Sequence, residues 1–267
     1  MFGAVQDTDG ENAGAGRRRP EPRRPEGLPG ETALFLSEGT DGLNAGAHFL
    51  DRLTAEERVL IGRRGRSYSV AAGETVFAQG DSHKGIFIIE QGRVRVFYTA
   101  PSGRQITLAY WTQGHFIGGP EIAGGGSHVW SGEALEDCRI LNLNSAAIRD
   151  LVTTVPNFAL CLIQGLVSKG KCYSSMAQML GTRSVIERLA QFLLNLGELY
   201  GETEGSAIVI RRKITHDQIA AMVGSTRQWV TMMLKRFQRD GLMTVDARGI
   251  RITQIERLQE MATGDLG

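Results

Sequence analysis

Residues 214–252 read ITHDQIAAMVGSTRQWVTMMLKRFQRDGLMTVDARGIRI, and their polar side chains are spaced for one kind of chemistry. A helix starting near Arg227, turning 100° per residue, gathers Val230, Met233, Leu234 and Phe237 on one face. Gln228, Thr231, Met232 and Lys235 lie opposite, with Arg227 at the exposed N-terminal end. An α-helix fits the major groove of duplex DNA, where an early Arg and Gln can pair bidentately with guanine and adenine. Basic residues further along can anchor phosphates. The candidate DNA-contacting residues are therefore Thr226, Arg227, Gln228, Thr231 and Lys235.

Such a helix must be presented by its neighbours. Thr215 with Gln218 three residues on is a capping-box signature, so a short helix starts there and carries Ile219, Met222 and Val223 inward. It stops at Gly224, and either Ser225 or Thr226 can cap the next helix. That leaves a turn of about three residues, the spacing of a helix-turn-helix. After Asp240-Gly241, LMTVDARGIRI reads as a strand, a turn at Asp246 to Gly249 and a second strand, which makes a wing. The formal net charge is only +1, so bulk charge does not point to nucleic acid. From Ile208 to Thr263, however, ten Lys/Arg stand against five Asp/Glu, the local excess expected where phosphates are neutralised. A helical hairpin with a solvated basic face is the plain alternative; cap, turn, outward polar set, wing and charge together favour DNA.

The rest of the chain divides into an expected α+β architecture. At 42% hydrophobic and 22% charged, the composition is that of a soluble globular protein. No apolar run approaches the ~18 residues of a membrane span, and the opening residues show no signal sequence, so no membrane association and a cytoplasmic location are expected. Cys138, Cys161 and Cys172 are too widely spaced for a disulfide framework or a CxxC metal site. GxSxG, P-loop, HExxH and paired-carboxylate patterns are absent, which argues against an enzyme. Residues 1–47 carry four of the seven prolines and RRRPEPRRPEG without apolar periodicity, the pattern of a disordered tail. Residues 48–153 hold short apolar runs punctuated by glycine, an all-β roll or barrel.

Residues 154–181 form a helix in which Leu162, Leu166, Lys169, Tyr173, Met176 and Leu180 alternate at spacings of four and three. That heptad stripe suits a dimer seam, although a core helix packed on the β-roll would show it too. Residues 182–263 hold a helix from Ser184 to about Tyr200, an exposed GETEGS loop, the strand IVIRRKIT and the winged module.

DQIAAMVGSTRQWVTMMLKRFQRDGL resembles the recognition module of the CRP/FNR superfamily of cyclic-AMP receptor protein and fumarate-nitrate regulators. GETVFAQGD, GIFIIEQGRVRVF and QGHFIG resemble its cyclic-nucleotide-binding β-roll, in the same domain order. The resemblance spans about residues 48–255. It implies a homodimeric DNA-binding transcription regulator on a pseudo-palindromic operator, with RNA polymerase and a small-molecule effector as further partners.

The resemblance also places an effector pocket at Gly118, Gly119, Glu121, His128, Val129, Trp130, Tyr173 and Ser174. Gly119 stands where cyclic-AMP-binding members carry a Glu, and His128 and Val129 stand where they carry an Arg-Ser pair. A neutral His and a Val cannot replace a permanent cation and a hydroxyl facing a phosphate, so cyclic AMP is not the expected ligand. The N-terminal cysteines of iron–sulfur members are missing, while His115 and His128 stand as candidate haem ligands. If Trp111, Trp130, Tyr173 and His128 converge, they suit a small aromatic or carboxylate-bearing molecule. The rival function is a cyclic-nucleotide-type regulatory subunit whose C-terminal domain contacts protein.

Overall fold

The computed structural model describes residues 33–38, 52–119, 121–122, 124–246 and 249–264. Helix α1 (Ala55–Arg64) starts at a capping box: Thr54 Oγ1 accepts from Glu57 N, and the Glu57 carboxylate accepts from Thr54 N. Eight strands follow: β1 (Arg66–Val70), β2 (Thr75–Phe77), β3 (Ile86–Gln91), β4 (Arg93–Thr99), β5 (Gln105–Thr112), β6 (Phe116–Ile117), β7 (Ser131–Ala134) and β8 (Cys138–Leu143). They form two four-stranded sheets ordered β1-β8-β3-β6 and β2-β7-β4-β5, closing the expected β-roll around Phe77, Phe87, Val94, Val96, Trp111 and Ile140. Gly85 shows why glycine punctuates this region. Its φ is +95°, and a Cβ there would sit 2.0 Å from the Leu143 carbonyl oxygen.

Two helices in this half went unread in the sequence, α1 and α2 (Ser145–Thr154). Both begin at legible caps, Thr54 and Asn144. Helix α3 (Pro156–Thr182) leaves α2 at a bend of 119° around Val155. Ile148 and Leu151 of α2, Phe158, Cys161 and Leu162 of α3 and Ile61 of α1 form a second core on the roll.

The C-terminal half runs α4 (Val185–Tyr200), β9 (Gly201–Glu204), β10 (Ala207–Ile210), α5 (His216–Val223), α6 (Arg227–Arg239), β11 (Met243–Asp246), β12 (Gly249–Ile252) and α7 (Ile255–Thr263). Its sheet is ordered β11-β12-β10-β9. The GETEGS segment is therefore not a free loop: β9 pairs with β10 through residues 201–204. Glu202 bonds Arg211, and Glu204 bonds Arg211 and Arg251, so the acids brace the hairpin. No single described helix is long and apolar enough to cross a membrane.

Residues 33–38 depart from the expected tail. Leu34 exchanges backbone hydrogen bonds of 3.0 and 2.8 Å with Tyr110 of β5. Side chains alternate as in a strand covered on both faces: Ala33 and Phe35 enter the β-roll core, while Leu34 and Leu36 join the core of the C-terminal half. Asn195 Nδ2 donates to Ser37 O at 2.9 Å, and Glu38 pairs with Arg183 at 3.2 Å. Burying such side chains yields ~1.5–3 kcal/mol each, enough to offset an ordering cost of ~1–2 kcal/mol per residue. The rest of the expected tail, 1–32 and 39–47, lies outside the described residues.

Arg188 joins the two halves at the hinge. It is buried, and its guanidinium donates to Val223 O (2.9 Å), Leu180 O (3.3 Å) and Arg183 O (2.8 Å). Burial, and second the nearby Arg104 cation, pull its pKa below the usual arginine value. The carbonyls end α3 and α5, where helix dipoles favour a cation. Replacing Arg188 by Met leaves three buried acceptors without this donor. We expect Arg188→Met to lower unfolding free energy by about 2–4 kcal/mol in urea titration. A loss below ~0.5 kcal/mol would show that the carbonyls find other donors.

Candidate nucleic-acid interface

The helix-turn-helix forms as its caps require. Thr215 Oγ1 accepts from Gln218 N and the Gln218 side chain accepts from Thr215 N, starting α5. Gly224 ends it at φ +66°, a left-handed conformation that favours glycine. Of the two candidate caps for α6 it is Thr226 that serves, accepting from Trp229 N at 3.2 Å. Val230, Met233, Leu234 and Phe237 are buried, as the periodicity requires.

Arg227, Gln228, Thr231, Met232 and Lys235 line one open concave surface on the opposite face. Four of the five expected contact residues thus lie together. Thr226 acts as the cap instead. The Thr231 hydroxyl is held by Arg227 O (2.9 Å) and His216 Nδ1 (2.7 Å), leaving its methyl as the freer group. Met232, 55% exposed, belongs to this surface, on the outward face where the helical periodicity puts it. Arg227 faces Asp217 at 3.6 Å, with both side chains about two-thirds exposed, so water and salt weaken the pair. Lys235 makes no ion pair with a described residue. β11 and β12 pair from Met243↔Ile252 to Asp246↔Gly249 and build the wing, whose tip residues Ala247 and Arg248 lie outside the described set.

Helix α3 does not present the expected seam. Leu162 is buried against α1 and α2, and Met176 and Leu180 pack on the chain's own cores. Tyr173 packs beside Trp130, ring centres 5.5 Å apart. Lys169 lays its ammonium 3.8 Å from the Trp111 ring and 4.8 Å from Phe116. The open apolar positions are Leu160, Ile163 and Val167, with Leu166 at the edge, on the opposite side of the helix. Most of the stripe at 162–180 is thus taken up by the chain's own β-roll and C-terminal half, with Leu166 left open.

Enclosure of the Lys169 ammonium lowers its pKa to about 7, with Cys172 opposing slightly. The unfolded chain then holds this proton up to the ordinary lysine range while the folded chain releases it from about 7. Stability therefore rises with pH across that window and is lost as pH falls toward 7. We expect Lys169→Met to be more stable than the wild type at pH 7. The difference should shrink toward pH 10 in urea titrations at several pH values. A constant difference would contradict the assignment.

The expected effector pocket is only partly assembled. His128 is buried, its Nδ1 2.5 Å from Gly118 O, stacked between Phe77 (4.7 Å) and His83 (4.4 Å). Burial pulls its pKa down, favouring the neutral ring. Gly119 lies near His83 and Trp130, so Gly119, Trp130, Tyr173 and His128 share one neighbourhood. Val129, Ser174 and Glu121 are exposed, and Trp111 packs elsewhere, against Lys169 and His115 (5.0 Å). The Nε2 atoms of His115 and His128 are both enclosed by the protein. Among the described residues no group of three or more His, Cys, Asp or Glu is arranged to hold a metal ion.

Comparison with known proteins agrees with this geometry. Residues 68–154 match the cyclic nucleotide-binding domain family, and residues 187–261 match the Crp-like helix-turn-helix domain family. The chain is 27% identical over 191 residues to a CRP-like cAMP-activated global transcriptional regulator of Mycobacterium tuberculosis, covering 71% of this chain and 85% of that one. It is 25% identical over 197 residues to the fumarate and nitrate reduction regulatory protein of Escherichia coli, covering 74% and 78%. Its fold is similar to that of a CooA mutant from Carboxydothermus hydrogenoformans, with a TM-score of 0.68 at 22% identity over 80% of this chain and 95% of the other. With a β-roll, a long helix and a Crp-like reading head in this order, the chain belongs to the CRP/FNR superfamily of DNA-binding transcription regulators.

Proposed function

We propose that this regulator binds a pseudo-palindromic operator as a homodimer, each α6 entering one major groove, under an effector other than cyclic AMP. The observation that carries the reading is the shared open surface of Arg227, Gln228, Thr231, Met232 and Lys235 on a rigid, capped helix. Its mix suits base edges: a guanidinium for guanine, an amide for adenine, and apolar groups for a thymine methyl. A protein-binding subunit would present aromatic or apolar anchors here, and Met232 alone fits that description.

Support for the second copy comes from α3, whose Leu160, Ile163 and Val167 repeat at spacings of three and four on an open face. RNA polymerase remains a further proposed partner through the family likeness. Cyclic AMP is disfavoured because Gly119, His128 and Val129 supply neither carboxylate nor fixed cation.

Two experiments test this. In binding titrations on random and selected duplexes, Lys235→Ala should weaken all duplexes alike and flatten the salt dependence. Arg227→Ala should cost ~1–3 kcal/mol on the selected site and relax one base pair per half-site. Saturating cyclic AMP should leave both wild-type curves unchanged. Absence of any enriched sequence would favour the regulatory-subunit reading. For assembly, light scattering should find a dimer in the wild type and a monomer in Ile163→Asp/Val167→Asp, since charges in a desolvated seam cost several kcal/mol. A double variant that stays dimeric would move the interface off this face.

A further inference from the structure

A cavity of about 210 Å³ lies between the β-roll and the C-terminal half, away from the expected effector pocket. Arg93 and Tyr110 of the roll line one side, and Arg212 and Lys213, in the link between β10 and α5, line the other. Leu34, from the segment that straps the halves together, also contributes. Three cations thus meet one carboxylate, Glu136, which is half exposed and 3.8 Å from Arg93. Arg212 stacks over the Tyr200 ring at 4.6 Å, and neither it nor Lys213 makes an ion pair with a described residue. Tyr110 is 8% exposed and packs its ring on the cavity wall, with its hydroxyl buried beside Thr107 and Arg95. Arg212 and Lys213 at the cavity wall lack a carboxylate partner among the described residues, and an organic anion supplies one.

We propose that this interdomain cavity binds a small organic anion, a carboxylate on a compact apolar body. The carboxylate would accept from Arg212 and Lys213, while Leu34, Leu135, Phe192 and the Tyr110 ring would surround the body. Size selects the class: at 210 Å³ the space is below the ~300–1,000 Å³ of drug-sized sites, too small for a nucleotide. A bound anion ties the roll to the link that leads into α5. It favours the packed arrangement of the two halves by whatever affinity it has for that arrangement over others. Binding itself does not depend on the DNA-reading assignment; only its consequence for α6 rests on that reading.

The test uses the full chain and four probes: benzoate, hexanoate, the uncharged benzamide and inorganic phosphate, followed by ligand-detected NMR and calorimetry. Benzoate or hexanoate should bind at least tenfold tighter than benzamide and tighter than phosphate. Arg212→Gln/Lys213→Gln should lose at least tenfold. His128→Ala, in the other pocket, should bind benzoate as the wild type does. The proposal is overturned by no carboxylate binding at ~10 mM, by equal binding of benzamide or phosphate, or by wild-type affinity in the double variant. Loss of binding in His128→Ala alone would equally overturn it, by moving the site to the β-roll. Duplex affinity of the ligand-free chain, measured in parallel, shows separately whether the DNA-reading assignment holds.

Discussion

The reading head is held by a buried cation that has backbone carbonyls, not carboxylates, as its partners. Arg188 reaches from α4 to the end of α3 at Leu180, to the hinge at Arg183 and to the last turn of α5 at Val223. One residue further, Gly224 O accepts from Arg104, which stands in the β4–β5 turn of the roll. Two arginines from different parts of the chain thus converge on the carbonyl end of α5, immediately before the recognition helix. Helix dipoles favour both, while each cation disfavours the other. The direction of α6 is therefore set jointly by the long helix, the hinge and the β-roll. A shift at any of them changes which carbonyls are satisfied.

Helix α3 carries a second constraint, because it has two apolar faces and only one can meet the roll. Phe158, Cys161, Leu162, Gly165, Cys172 and Met179 face inward. Gly165 lies so close to Phe116 that a Cβ would sit 2.3 Å from the ring. That approach fixes the rotation of the helix about its axis and turns Leu160, Ile163 and Val167 outward. Close packing on one side thus decides which residues remain on the other.

Legibility in the sequence follows from how local each signal is. The helix-turn-helix could be read residue by residue, since capping boxes, a left-handed glycine and a 3.6-residue period all act within one or two turns. Thr226 as cap and the buried set Val230, Met233, Leu234 and Phe237 emerge as expected. The α3 stripe was visible, but periodicity cannot say which neighbour a stripe meets, and Lys169 on it was the warning that the partner was an aromatic pocket. The strap at 33–38 failed for a related reason. ALFL is four apolar residues in polar surroundings, and only a long-range pairing with Tyr110 gives them something to cover. His128 could be placed in the effector loop by likeness, yet its burial against Phe77 and His83 depends on contacts from distant strands.

Charge is distributed in a way that reconciles a near-neutral chain with a phosphate-binding surface. Several basic residues away from α6 are paired: Arg64 with Asp150, Arg139 with Glu90, Arg211 and Arg251 with Glu202 and Glu204. On α6 four cations share two acids. Arg236 and Arg239 lean on the single Asp240, Arg227 has only a solvent-weakened neighbour in Asp217, and Lys235 has none among the described residues. Screening confines an exposed charge to ~8–10 Å at physiological salt, so a phosphate arriving at this face responds to these few side chains and not to the sum over the molecule. Net charge is then the wrong quantity for deciding whether such a protein meets DNA; the decisive one is which cations on the exposed face lack a partner.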